Sequence, residues 1–356
     1  MLAARRYALI MELARDRGSV RVTELVDVLG VSDVTVRRDL EHLARAGQLE
    51  KVHGGAVLPS GARGEATGPD APGDGAPRSG ELVLGALIPK SSYYFNRVVD
   101  GMRRALAGRG GRLLVAVSGY RPGQDEQLAN GLVESGAQGL LLTADDVGWA
   151  GSLAVPTVLV ERRARDAVTA PAGLSWVRTD HESGAALAVR HLHELGHRRI
   201  AVFARGDTPT SRAVLHGWDL AVGELGLADG ARIVGVDFEG WPTWGAEQVD
   251  ALAARLRAAG ATALLMHSDE DALAVLQSGF ASRFSVPRDV SVVAYDDEFS
   301  ALTSPALTAV SPPKELVGDL AVRTLLDLLE DPASPARHID VEPRLVVRES
   351  TGAPRH

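Results

Sequence analysis

Val31-Ser32-Asp33-Val34-Thr35-Val36-Arg37-Arg38-Asp39-Leu40 reads as the opening of a helix. Ser32 is a helix-capping residue, and Asp33 in the first turn meets the positive end of the helix dipole. Val36, Leu40 and Leu43 fall at i, i+4 and i+7 and face inward. Thr35, Arg38 and part of Arg37 then point outward. The flanks extend the pattern. Leu9, Ile10 and Leu13 put an apolar stripe on a first helix that Gly18 can end. Thr23 can cap a short second helix carrying Leu25 and Leu29, and Gly30 makes the turn. Gly47 stops the third helix, and residues 48–52 and 56–58 can pair as a small wing around His53-Gly54-Gly55.

Three helices and a wing suit DNA. A helix with a polar outer face fits the major groove, about 12 Å wide. Ser32 and Thr35 are short enough to let it approach, and Arg37 and Arg38 can reach phosphates or a guanine edge. Lys51 and His53 on the wing can reach the adjacent minor groove or backbone. By spacing alone, a plain three-helix core with a solvated charged face is the alternative.

Charge agrees with that placement. The chain has 356 residues and a formal net charge of −8, but residues 1–57 hold 9 Lys/Arg against 8 Asp/Glu, while the rest holds 29 against 38. Only the head can face nucleic acid, and folding must cluster its basic residues. Residues 60–80 are almost all Gly, Pro, Ala and polar, which reads as a flexible linker. Beyond it, apolar runs at 82–88, 112–117, 139–142, 157–160, 200–203, 233–238, 263–266 and 290–294 alternate with helical patterns such as 96–109, 181–195, 245–259 and 313–330. Continuous apolar strands joined by helices imply an α/β body with parallel sheets buried on both faces.

The chain has no cysteine, which removes disulfides, thiolate metal sites and cysteine nucleophiles. With no apolar run of about 18 residues and no signal peptide, a cytoplasmic protein without a membrane partner is expected. Nucleophile elbows, phosphate loops and zinc-binding helices are missing from the sequence, so neither an enzyme nor a cofactor is expected.

The head resembles the DNA-binding domain of the DeoR family, through residues 20–25, the Val-Thr-Val-Arg-Arg-Asp-Leu block at 34–40 and the Val-His-Gly-Gly-Ala block at 52–56. That resemblance implies a winged helix-turn-helix over 1–59 whose recognition helix spans 32–45, with Thr35, Arg37 and Arg38 at the DNA. Asp39 would orient an arginine. Residues 81–351 resemble the sensor of LacI/GalR repressors, which is akin to periplasmic sugar-binding proteins. The matching blocks are Tyr93-Tyr94-Phe95, residues 156–162, His191 through Ala201, Ser211-Arg212, residues 286–297, Leu307 through Val310 and Pro343 through Ser350. A type I periplasmic-binding-protein-like domain follows, with two Rossmann-like lobes. Lobe one would hold 81–178 and 310–332, and lobe two 179–309 and 334–351, with crossovers near 178, 309 and 333.

In that fold, ligand sits between the lobes at the carboxyl ends of the strands. By position in the resemblance, Arg212 and Asp296 are the leading ligand contacts, with Glu161 at a strand end. Ser268 occupies a site that often holds Asn, and Asp269 follows it. The stacking aromatic is either Trp241 or Trp244, and Tyr94 and Phe95 can contribute from the first lobe. Each has a plainer reading: Arg212 as a helix-start surface residue, Asp296 as a turn cap, Glu161 as half of an ion pair with Arg162, the aromatics as packing. The histidines at 191, 193 and 197 read as structure rather than a metal cluster. The expected partners are an operator duplex, a second copy of the chain and a small effector, a sugar or sugar derivative, with purines and other small polar molecules left open. A transport binding protein shares the sensor fold but would lack the head, and an activator would look the same. The linker shows no helical hinge segment, so loose half-site spacing is expected.

Overall fold

A computed structural model describes residues 6–7, 9–11, 13–14, 19–29, 31–45, 49–52, 55–57, 81–121, 123–163, 173–205, 208–227, 232–235 and 244–355. The chain forms two compact units, Met1–Ala76 and Pro77–His356. The expected linker 60–80, the glycines at 18, 30 and 47, His53 and Trp241 lie outside the described residues.

In the head, helical residues 6–7, 9–11 and 13–14 (α1) are followed by β1 (Ser19–Arg21), α2 (Val22–Leu29), α3 (Asp33–Arg45), β2 (Glu50–Val52) and β3 (Gly55–Val57). Ile10, Leu25, Val36, Leu40, Leu43 and Leu49 close one core. The expected inward face of α3 is therefore the buried one. Ser32 begins that helix as expected: its Oγ lies 3.4 Å from the Thr35 amide, and the Val36 amide donates to Ser32 O at 3.0 Å. Helix α2 starts at Val22, so Thr23, expected as its cap, lies inside it. The wing is also larger than a hairpin. Strand β3 pairs antiparallel with β2 and with β1, giving the order β1-β3-β2. Gly55 permits this, because a Cβ there would stand 2.0 Å from Val20 O.

The body holds two six-stranded sheets. The first has the order β14-β8-β7-β6-β4-β5, from β4 (Val83–Ile88), β5 (Arg112–Val117), β6 (Gly139–Leu142), β7 (Thr157–Val160), β8 (Ser175–Thr179) and β14 (His338–Val341). The second has the order β10-β9-β11-β12-β13-β15, from β9 (Ile200–Arg205), β10 (Arg232–Gly235), β11 (Ala263–Met266), β12 (Ser291–Tyr295), β13 (Thr308–Ser311) and β15 (Arg344–Val346). All pairs are parallel except β13 with β15. Strands β4, β6, β7 and β11 are buried along their whole length, as strands covered on both faces must be.

The chain passes between the sheets three times. The first passage, at Asp180, leads from β8 into α6 (His181–Glu194), which packs with β13 and β15. The second, at Pro312-Pro313, leads from β13 into α10 (Lys314–Glu330), which packs on α4 (Tyr93–Ala107). The third corrects the expectation. It lies at 342–343 rather than near 333, because β14 pairs in parallel with β8, with Val341 opposite Thr179. Residues 338–341 therefore belong to the first lobe.

Two glycines let α4 and α10 meet backbone to backbone. A Cβ on Gly101 would lie 2.1 Å from Glu315 O, and one on Gly318 would lie 2.0 Å from Val98 O. Gly217 plays the same part where α7 (Pro209–Glu224) crosses α6, with Glu182 O at 2.2 Å from its notional Cβ.

Candidate ligand cleft and DNA-reading face

Two acids end strands in the two sheets, and both have left-handed backbones. Glu161 follows β7 at φ 55°, and Asp296 follows β12 at φ 88°. Such conformations cost about 1–3 kcal/mol outside glycine and gather at functional sites. Both stand at carboxyl strand ends, where α/β folds bind ligands.

Glu161 is 4% exposed and fully engaged. Its Oε1 accepts from the Tyr94 hydroxyl at 2.7 Å and from Thr179 Oγ1 at 3.0 Å, and its Oε2 accepts from the Thr179 amide at 3.0 Å. His181 Nε2 lies 3.4 Å from Oε2, and His181 Nδ1 lies 3.1 Å from the Tyr295 hydroxyl. Burial pushes the Glu161 carboxyl up, but His181, Thr179 and Tyr94 outweigh it and hold the group down at about 2. The plainer reading, a surface ion pair of Glu161 with Arg162, does not form. Arg162 is buried, donates to Glu161 O at 2.7 Å and pairs with Asp145 at 2.6 Å.

Beside this network lies a narrow cleft lined from both lobes. Arg162, Arg163 and Arg178 face it from the first lobe, His181 and Glu182 stand just past the crossover, and Arg212 comes from α7. The acids there are already taken: Glu182 pairs with Arg178 at 2.7 Å and with Arg163 at 3.2 Å. Arg212 differs, since its buried Nε has no hydrogen-bond partner among the described residues.

Asp296 is held from behind. Lys314, buried at the start of α10, donates to Asp296 O and pairs with Glu298 at 2.8 Å. Burial pushes the Asp296 carboxyl up to about 7, against the pull of Lys314. Asp269 accepts at one oxygen from the amides of Glu298 and Phe299, both at 2.6 Å, and from Ser300 N and Oγ at 3.2 Å. It pins the loop after β12. Burial and the Asp296 charge push Asp269 up to about 8, while those backbone donors act the other way. Ser268 caps α9 (Asp269–Gln277) without a side-chain bond to its turn.

The aromatic residues divide. Tyr94 reaches the Glu161 network. Phe95, expected as a possible contact, is instead part of the first lobe's core. Trp244 is 9% exposed and packed in the second lobe's core against Phe203, with Nε1 donating to Asp271 at 3.0 Å. That makes it a packing residue, and the reason is that its indole N–H needs Asp271 as partner. His197 is structural: its ring contacts Thr262, Ser291 and Gly352 O at 2.8, 3.1 and 2.9 Å.

Sequence reasoning missed His181, Tyr295, Lys314, Arg178 and the buried pair of Arg205 with Asp271 at 3.1 Å. His181 had a readable signal, since it opens the helix after the crossover strand. His267 at the end of β11 was missed too. Burial, then the charge of His181, push it down to about 4.

On the head, Ser32, Arg37 and Arg38 are exposed on α3, and Thr35 is half-buried. Arg37 folds back on Asp33 at 2.5 Å. Both ends of that pair are more than half exposed, so it is weak and can open for DNA. Asp39 does orient an arginine, namely Arg6 from α1, at 2.5 and 2.9 Å. Lys51 lies on β2.

Comparison with known proteins agrees with both halves. Residues 6–61 match the family described as DeoR-like helix-turn-helix domain, and residues 189–351 match the periplasmic binding protein-like domain. The chain is 29% identical over 277 residues to the transcriptional repressor PurR of Aliivibrio fischeri, covering 75% of this chain and 80% of that one. It is 27% identical over 347 residues to an arabinose metabolism transcriptional repressor of Geobacillus stearothermophilus, covering 92% and 90%. A LacI transcriptional regulator structure from a Rhodococcus species superposes with a TM-score of 0.64 at 26% identity, over 77% of this chain and 100% of that one. The protein is thus a ligand-responsive, DNA-binding transcriptional regulator with a helix-turn-helix domain and a periplasmic binding protein-like domain.

Proposed function

We propose that the protein represses genes of carbohydrate uptake or catabolism, binding a two-half-site operator as a cytoplasmic homodimer and responding to a sugar or sugar derivative held between its lobes. The observation that carries this reading is the cleft: Arg212, whose buried Nε is unsatisfied, lines it from one lobe, and Arg162, Arg163 and Arg178 line it from the other, beside the strand-end acid Glu161. Donors and acceptors converging from two lobes suit a polyhydroxylated ligand. Ligand then acts by favouring one lobe arrangement over another, which changes DNA affinity. Repression and a link to sugar metabolism follow the arabinose metabolism repressor, a relative along nearly the whole chain.

A second copy is supported by β5, an edge strand that exposes Val115 and Val117, with Tyr120 exposed just beyond. At the DNA, the expected contacts are Ser32, Thr35, Arg37 and Arg38 on α3, with Lys51 and His53 from the wing. The expected ligand contacts are Arg212 and Glu161, which line the cleft, with Asp296, Tyr94 and Ser268, which do not line it.

The test is a fluorescence-anisotropy titration at about 150 mM salt, because affinity without the salt condition means little. The full chain is titrated against the duplex upstream of its own gene and against a scrambled duplex, then challenged with a panel of pentoses, hexoses, disaccharides and purines. Binding about a thousandfold tighter to the cognate duplex, released by one sugar, supports the proposal. Release by a purine alone would replace the effector class. Tighter binding on adding sugar would reverse the sign of the response.

A further inference from the structure

Val34 is 75% exposed, on the first turn of α3. At about 100° per residue, it lies about 160–180° from Val36 and Leu43, which the core buries. It is therefore in the middle of the outward face. Lone exposed apolar residues are common on protein surfaces. This one is unusual in its surroundings. Asp33 and Arg37, on one flank, are joined to each other, and on the other flank the Thr35 hydroxyl is shared with Ser32 at 2.9 Å. Asp39 is turned inward to Arg6. Along 33–39, the exposed side chains are those of the Asp33–Arg37 pair, Val34 and Arg38, and Val34 is the apolar one among them. A branched side chain on a first turn also brings no helix-propensity gain over alanine or a long polar residue.

A helix entering the major groove reads base edges with its N-terminal residues. The largest apolar group those edges present is the thymine C5-methyl. An isopropyl group gains most by burial against that methyl. We propose that Val34 is a specificity-determining residue that reads a thymine methyl in each operator half-site. This rests on the reading of α3 as the DNA-contacting helix. It predicts that Val34 carries sequence discrimination without carrying charge, so that it contributes nothing to the salt dependence of binding.

The experiment begins with selection of duplexes by the full chain from a random-sequence pool. Each thymine of the enriched site is then replaced by deoxyuridine, which removes the methyl and leaves the hydrogen-bonding edge intact. The expected result is one thymine per half-site whose replacement weakens binding about fourfold, the scale of one methyl buried. In Val34→Ala, thymine and uracil at that position bind alike, and the slope of log affinity against log salt is unchanged. Thermal unfolding of Val34→Ala checks that the head is intact. Retained thymine discrimination in Val34→Ala, or a wild type indifferent to uracil at every position, overturns the assignment of Val34 alone. A pool that yields no enriched sequence overturns the DNA-reading role of α3 as well.

Discussion

His181 Nε2 lies 3.4 Å from Glu161 Oε2, so the end of a first-lobe strand touches the helix that begins just after the chain crosses into the second lobe. The other face of the same imidazole meets the Tyr295 hydroxyl at the end of β12. One ring thus joins the ends of strands from both sheets. Any movement of the lobes that separates β7 from β12 must break one of these contacts. Tyr295 itself is held closely, since a Cβ at Gly184 would stand 2.4 Å from its hydroxyl.

The Glu161 carboxyl sets an acid limit on stability. Its folded value of about 2 lies below the ordinary 4.5, so the folded state binds fewer protons than the unfolded state between those values. The contribution is fully present above pH 4.5 and is lost as pH falls toward 2. The displacement corresponds to at most about 3 kcal/mol. Glu161→Gln should lose stability at pH 7 and lose progressively less relative to wild type as pH falls below 4.5. Urea unfolding between pH 3 and 7 checks this; a constant difference across that range would show that Glu161 acts by shape alone.

Arg212 should govern the effector and not the fold. Its guanidinium has an unsatisfied buried Nε, so Arg212→Ala costs no internal hydrogen bond at that atom. The concentration of effector needed for half-maximal response should rise at least about tenfold, while the melting temperature changes little. Arg212→Lys should restore only part of the response, because an ammonium cannot reproduce the planar fork of donors. Calorimetric titration of the effector identified from the panel decides it, and unchanged affinity in Arg212→Ala would remove this residue from the cleft.

Gly318→Ala should destabilise the first lobe. The added methyl would sit 2.0 Å from Val98 O, a backbone atom that cannot rotate away. Overpacking of this kind costs about 1–3 kcal/mol. The melting temperature of the body should fall, and the head should bind DNA fragments as before. An unchanged melting temperature would mean that α4 and α10 separate freely.

Asp39→Ala should loosen the head. The carboxylate is 3% exposed and pairs with Arg6, which is 11% exposed, so the pair is largely shielded from water. Removing one partner of such a pair costs about 1–3 kcal/mol. The expected outcome is a lower unfolding temperature for the head and weaker operator binding, whereas Asp39→Asn, which keeps a hydrogen-bond acceptor, should lose less. Equal effects of the two substitutions would argue that charge rather than hydrogen bonding holds Arg6.

What the sequence determined by itself is local. Strands β5, β6, β7 and β11 have the bounds that apolar runs alone indicate, and α3 buries the residues its spacing selects. Both rest on short-range periodicity, which a chain carries before it folds. The short strands β1, β8, β14 and β15 were not legible, since mixed polar residues such as His338-Ile339-Asp340-Val341 become a strand only by pairing with a sheet already formed. That pairing placed the third crossover. The candidate site divided the same way. Glu161, Arg212 and Asp296 were reachable through the resemblance to LacI/GalR sensors, by their positions in the matching blocks. The joining of Glu161, His181 and Tyr295, of Lys314 with Asp296, and the commitment of Trp244 to the core depended on tertiary structure. These partners are brought together by crossovers between two sheets, and burial, not local sequence, decides which polar groups must find each other.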